Sequence, residues 1–345
     1  MADTNPSGSA AAPTMDSSLP LHFDGLTDIG VRRLNNEDAW WIGELGKEHC
    51  FMDPGPAPLH VNLGADGAPA LLLVSDGVGG ANAGEVASQM AVHSISSELS
   101  NALAALTDAR TTRRAILAAL YAANTAIKAK AVAPEFDGMG ATLSLLCFAG
   151  KAEACWGQVG DSRIYVCRDG RLRQISRDHS PVGRLRQEGK ISEAEARHHP
   201  LRNQIDQSLG DPSNLFQPDS GIEKILPGDV YLLCSDGLSD GLWDREIEEI
   251  LAGIHTMAHV RPAVQRLVGR AKQASGRDNI TAVLALVEDV SAAERRPAGK
   301  KWLAKVCQLI QRTPAAPPPT PVPPPVPSRP PAPPQPGEPA DGLGH

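Results

Sequence analysis

Thr142-Leu143-Ser144-Leu145-Leu146-Cys147-Phe148, Glu153-Ala154-Cys155-Trp156-Gly157-Gln158-Val159 and Ile164-Tyr165-Val166-Cys167 follow one another closely along the chain. Their side chains alternate with a period of two, which predicts consecutive antiparallel strands. Arg168-Asp169-Gly170-Arg171 reads as a hairpin turn into a further strand at 172–175. Upstream, Val86, Met90, Ile95, Leu99, Leu103 and Leu106 stand at helical spacing and predict a core-facing helix over 84–106. Ile116, Leu117, Leu120 and Ile127 predict a second over 111–131, with Thr111 or Thr112 as its cap.

Strand-like stretches occur at 22–30, 39–42 and 71–75, and the glycine- and proline-rich residues 43–69 read as a loop or irregular hairpin. Trp40 and Trp41 point to opposite faces, one expected in the core and the other at the mouth of a site. Residues 176–220 are polar, with short helices expected near 181–188 and 192–197. Strands at 230–235 and 280–287 enclose helices at 244–251 and 261–274. Runs of adjacent strands, without regular βαβ units, predict an α+β fold of antiparallel sheets with helices packed outside.

Composition narrows the function. The 345 residues carry a formal net charge of -7 and only 4% aromatic residues, which disfavours nonspecific nucleic-acid binding. None of the six cysteines forms a C-x-x-C pair, so a thiolate zinc site is not expected. No apolar run reaches membrane-spanning length and residues 1–20 lack an apolar leader core, so a cytoplasmic location is expected. Residues 1–20 read as disordered, 291–312 as a basic linker with one short amphipathic helix, and 313–345 as a disordered Pro-rich tail. Fifteen of the 30 prolines lie between Pro314 and Pro339, so the tail reads as a polyproline spacer or a docking segment for a protein.

Two apolar runs end alike, in Ser75-Asp76-Gly77 and Ser235-Asp236-Gly237. Asp-Gly is a common turn pair, so a plain turn is one reading of each. A carboxylate at the end of a buried strand is also well placed to hold a hard metal ion. Glu37, Asp38, Asp137, Asp161 and Asp278 occupy similar positions beside apolar runs. Carboxylates gathered without lysines repel unless a cation neutralises them, and oxygen donors select magnesium or manganese over zinc. Two such ions sharing a carboxylate can hold a water, lower its pKa and aim it at phosphorus. Arg33 is close in sequence to Glu37 and Asp38 and can clamp a phosphate.

Thr27-Asp28-Ile29-Gly30 followed by Arg33, Asn35-Asn36-Glu37-Asp38 resembles the opening motif of the metal-dependent serine/threonine protein phosphatases, type 2C. Asp76-Gly77-Val78-Gly79-Gly80, Asp137-Gly138-Met139-Gly140-Ala141-Thr142, Gly160-Asp161-Ser162-Arg163, Ser235-Asp236-Gly237 and Gly276-Arg277-Asp278-Asn279-Ile280-Thr281 resemble the later motifs in order. Agreement extends over about 22–287, and His199-Pro200-Leu201-Arg202-Asn203 is most similar to the bacterial branch. The resemblance implies a catalytic domain over 21–290: a sandwich of two antiparallel β-sheets flanked by α-helices on both outer faces, with metals at one end.

It further implies two tightly bound Mn2+ or Mg2+ ions and a third, looser one. Asp76 would bridge the pair, with the Gly77 carbonyl on one ion. Asp236 and Asp278 would hold the first ion, and Glu37 would serve the second. Asp38 would orient waters, and Asp137 with Asp236 would form the loose site. Arg33 would bind substrate phosphate, with Asn279 and Asp161 as supports. The implied activity is hydrolysis of phosphoserine and phosphothreonine in proteins, reversing a cognate Hanks-type serine/threonine kinase. A pseudophosphatase that binds phosphoproteins without turnover is the rival reading. Val78 stands where several members have a histidine proposed as general acid, and His199 is a weaker candidate for that role.

Overall fold

The computed structural model describes residues 19–47, 50–51, 58–63, 68–79, 83–150, 152–212 and 215–289. Of the residues expected to be disordered, 1–18 lie outside these described residues, as do the basic linker at 291–312 and the Pro-rich tail at 313–345, whereas Leu19 and Pro20 begin the first strand. The first strands are β1 (Leu19–Asp28), β2 (Asp38–Glu44), β3 (Cys50–Phe51), β4 (Leu59–Leu63) and β5 (Ala70–Val78). Helices α1 (Ala83–Asn101) and α2 (Ala109–Lys130) follow. The chain then runs through β6 (Gly140–Ala141), β7 (Leu143–Phe148), β8 (Glu153–Val159), β9 (Arg163–Arg168) and β10 (Arg171–Gln174); β8 and β9 lie in different sheets, so the consecutive antiparallel run expected over 142–167 is split between them. Two short helices, α3 (Pro181–Gln187) and α4 (Glu193–Arg197), precede β11 (Asp219–Lys224) and β12 (Val230–Cys234). The domain ends with α5 (Asp236–Gly241), α6 (Asp244–Leu251), α7 (Met257–Ala274) and β13 (Ile280–Val287).

One sheet has the order β10-β9-β12-β13-β1-β4, and the other β11-β8-β7-β5-β2-β3, with β6 beside β5. Strand alternation sorts the apolar residues into three cores. Leu72 and Val74 of β5 join Phe23, Tyr231 and Val283 between the sheets. Leu71 and Leu73 of the same strand pack beneath α1 and α2, against Ile95, Leu99, Ile116 and Leu120. Leu232 and Leu284 of the other sheet pack beneath α5 to α7. The result is the expected sandwich with helices on both outer faces.

Local details depart from the sequence reading in informative ways. Trp40 and Trp41 are both core residues, Trp40 between the sheets and Trp41 under α1, so neither opens onto a site. Asp108, not Thr111 or Thr112, caps α2. Its Oδ1 accepts from the N–H groups of Arg110 and Thr111, while Thr111 Oγ1 accepts from the Asp108 N–H in return. Helix α7 starts at Met257, a turn before the expected 261, with Pro262 inside it. The hairpin at 168–171 is borne out: Asp169 and Gly170 both have positive φ, 52° and 73°, as a two-residue turn of the type matching strand twist requires.

Gly25 faces the Trp40 ring, and a Cβ there would lie 2.7 Å from its nearest carbon. Gly25→Ala is therefore expected to destabilise the domain by about 1–3 kcal/mol through overpacking. Equilibrium urea unfolding measures this; an unchanged midpoint would mean that the ring yields freely.

Candidate metal centre

Antiparallel pairing sets Asp38 of β2 directly opposite Asp76 of β5. Asp38 also reaches the other sheet: its Oδ2 accepts from Ser235 Oγ at 2.7 Å and from Thr281 Oγ1 at 2.6 Å. Asp76 is pinned through its backbone, its N–H donating to Thr142 Oγ1 and its carbonyl accepting from the Thr142 N–H. Asn279 holds the preceding loop. Its side-chain nitrogen donates to the carbonyls of Ile29 and Asn35, and its oxygen accepts from the Glu37 N–H. Arg33 Nη2 donates to Asp278 Oδ2 at 2.7 Å from a partly exposed position.

The two Ser-Asp-Gly ends are not turns. Strand β5 continues through Asp76 and Gly77, with Gly77 opposite Ala141, while Asp236 opens helix α5. Neither glycine has positive φ. Each supplies space instead: a Cβ on Gly77 would lie 2.0 Å from the Gly84 carbonyl, and one on Gly237 2.0 Å from the Asn279 carbonyl. Gly84, in the first turn of α1, makes the same kind of room. A Cβ there would come within 3.0 Å of the Glu37 carboxyl carbon and of the Gly77 carbonyl oxygen.

Burial and mutual repulsion raise this group of carboxyls. Asp76 lies well above the ordinary carboxylate range, first through desolvation and then through Asp38, Asp236, Asp161 and Asp278. Asp236 is raised likewise by desolvation, then by Asp161, Asp240, Asp278 and Asp38. Desolvation also pushes Asp38 and Asp161 up to about 6, and raises Glu37. Asp38 Oδ1 and Asp236 Oδ1 are buried without a hydrogen-bond partner. Orphaned acceptors among crowded carboxylates suit a hard, oxygen-loving cation. Among the described residues no three of these side chains are close enough to form a ready-made metal cage.

Glu37, Asp38, Asp76, Gly77, Asp236 and Asp278 are thus brought together, with Arg33 at the rim. Asp137 stands apart. It is exposed after the 3-10 turn Pro134–Phe136, and its carboxylate makes no hydrogen bond or ion pair among the described residues. Val78 ends β5 opposite Gly140, partly exposed. His199 Nδ1 accepts from the Leu201 N–H in its own turn and bonds none of the carboxylates. Sequence reasoning missed Asp240, whose charge acts on Asp236; four-residue spacing along one short helix was the available signal. It also missed Gly84 and the hydroxyls of Ser235 and Thr281, whose roles appear only once the sheets are stacked.

A cleft lined by Asp161, Asp236 and Asp240 extends to helices α3 and α4. Those helices are fastened to the body. Arg197 donates to the carbonyls of Asp240 and Leu242 and stacks on the Trp243 ring, and Arg186 pairs with Asp244.

Residues 61–285 match the sequence profile of the family described as protein phosphatase 2C. The serine/threonine protein phosphatase PstP of Mycobacterium tuberculosis is 34% identical over 285 residues, 81% of this chain and 48% of PstP. The match therefore spans about half the length of that relative. The serine/threonine phosphatase stp of Listeria monocytogenes is 31% identical over 265 residues, 76% of this chain and 95% of its own length. The solved catalytic domain of PstP, in complex with two manganese ions, superposes with a TM-score of 0.61 at 33% identity. That superposition covers 79% of this chain and all of the other. With its two-sheet sandwich and its acidic end, the chain belongs to the bacterial branch of the protein phosphatase 2C family.

Proposed function

We propose that this protein hydrolyses phosphoserine and phosphothreonine esters of proteins with the help of manganese or magnesium ions. The observation that carries the reading is the crowded acidic group with two orphaned oxygens, on Asp38 and Asp236, beside a phosphate-competent arginine. In this reading Asp76, Asp236 and Asp278 would hold the first ion, and Asp76, Glu37 and the Gly77 carbonyl would serve the second. The ions, when bound, supply Lewis acidity that lowers the pKa of a water and draws charge from the phosphoryl oxygens.

The chain's own groups do the rest. Asp38 fixes the distance between the sheets, and with it the separation of Asp76 from Asp236, and orients waters. Arg33 turns its fork from Asp278 to the substrate phosphate. Val78 has no proton to give and His199 is engaged in its own turn, so the leaving oxygen takes its proton from water. A third, looser ion would use Asp236 and require the exposed Asp137 to turn inward.

The same reading pairs the protein with a cognate serine/threonine kinase in the cytoplasm, and gives the Pro-rich segment a docking or spacing role. Buried free thiols at Cys147, Cys155, Cys167 and Cys234 support a reducing compartment. No helix of the described residues is long and apolar enough to cross a membrane.

Hydrolysis of a small aryl phosphate should require added manganese. Excess chelator or Asp236→Asn should lower it by about 100-fold or more; full activity under either condition would sink the reading. Gly84→Ala should push the Glu37 carboxylate aside. A manganese titration should then show half-maximal activity at about tenfold higher metal, with turnover at saturating metal largely retained.

Metal removal should also change the pH dependence of stability. Asp38 and Asp161 rise from 3.8 to about 6 in the folded chain, which therefore binds these protons more tightly than the unfolded chain. Their contribution is fully present below 3.8 and is lost as pH rises through about 6. The chelated protein should therefore melt at progressively lower temperature across this window, and manganese should remove most of the decline. Parallel melting curves with and without metal would contradict the electrostatic account.

A further inference from the structure

Three of the ten large apolar side chains exposed among the described residues fall within 29–34: Ile29, Val31 and Leu34. Leu34 is 93% exposed and Val31 63%. The other seven are spread over 121–257. Single exposed apolar residues are ordinary, but a concentration beside a polar site marks a contact surface.

This loop is also held fast. The Gly30 N–H donates to Asp28 Oδ1, and Lys272 pairs with the same carboxylate. The Val31 N–H donates to the Gly276 carbonyl at 2.7 Å. Asn279 grips the carbonyls of Ile29 and Asn35, so both ends are tied around Leu34. Arg33, between the two exposed apolar residues, is tied to Asp278. A slack loop could fold its leucine inward; this one is anchored with the leucine outside, and the apolar surface is ready without an ordering cost.

We infer that Val31 and Leu34 form an apolar ledge beside Arg33 that takes a non-polar side chain flanking the phosphorylated residue of a protein substrate. The inference rests on the phosphatase reading and adds a sequence preference to it. The occupant follows from position: whatever phosphoester Arg33 grips must carry its neighbouring residues past 31 and 34. Exposed leucine and valine favour apolar neighbours over charged or amide ones.

Two phosphoserine peptides test it, alike except for leucine or glutamine on both sides of the phosphoserine. With the full chain and manganese, kcat/KM should favour the leucine peptide by roughly five- to tenfold. The Val31→Ser, Leu34→Ser double variant should bring the ratio near one while leaving aryl phosphate turnover unchanged. A wild-type ratio of one, or a ratio that survives in the double variant, overturns the ledge. Absence of turnover on aryl phosphate and peptides alike would instead defeat the phosphatase reading. Fluorescence anisotropy of the labelled peptides then decides the ledge: tighter binding of the leucine peptide upholds it, and equal affinities overturn it.

Discussion

The carboxylate of Asp38 is shared between two sheets. It belongs to β2, yet its Oδ2 is held by Ser235 and Thr281 of the opposite sheet. Sandwiched sheets are otherwise held by non-directional apolar packing, which tolerates sliding. Two short hydrogen bonds to a buried charge are directional and do not. They fix one end of the sandwich in register, and the remaining acidic groups inherit their spacing from that end. Asp76 lies across the strand from Asp38, Asp236 follows Ser235, and Asp278 lies three residues before Thr281.

The cost of this arrangement is electrostatic. Asp76 and Asp236 sit where desolvation and neighbouring charges oppose ionisation. Hydroxyls, backbone pins and the Asn279 clamp hold the groups in place against that repulsion. Missing side chains matter as much. Gly77 and Gly237 let backbone carbonyls approach to distances that any Cβ would forbid, and Gly84 leaves room for the Glu37 carboxylate. The recurring Ser-Asp-Gly unit is therefore a packing device: a buried serine to tie, an acid to present and a glycine to admit a neighbour.

Strand β5, whose alternate residues feed two different cores, was legible in the sequence as a short continuous apolar run, the pattern left when both faces are buried. Strand β11 was not. Asp219, Ser220 and Gly221 carry no strand signal, and pairing with β8 recruits them. Helix α7 begins a turn before the expected 261 and carries Pro262 inside it, where a proline ordinarily argues against helix. In the site, residue types and their order pointed to a shared chemistry, but nothing local could show that Glu37 and Asn279, 242 positions apart, are hydrogen-bonded. The turn reading of Asp76 failed for the same reason, since the partner that extends β5 is the short strand β6.

The first and last strands of the domain are neighbours. β1 pairs along its length with β13, from Leu21 opposite Val287 to Asp28 opposite Ile280. During synthesis, β1 must therefore wait for nearly the whole domain to emerge before it gains this partner. Such distant pairing makes closure a late event and a slow one. Glu37 and Asp38 enter near one end of the chain and Asp278 near the other, so the acidic end cannot be assembled on a truncated product. A ribosome-stalled fragment lacking β13 would carry most of the carboxylates but not the Thr281 hydroxyl that helps tie Asp38 across the sheets.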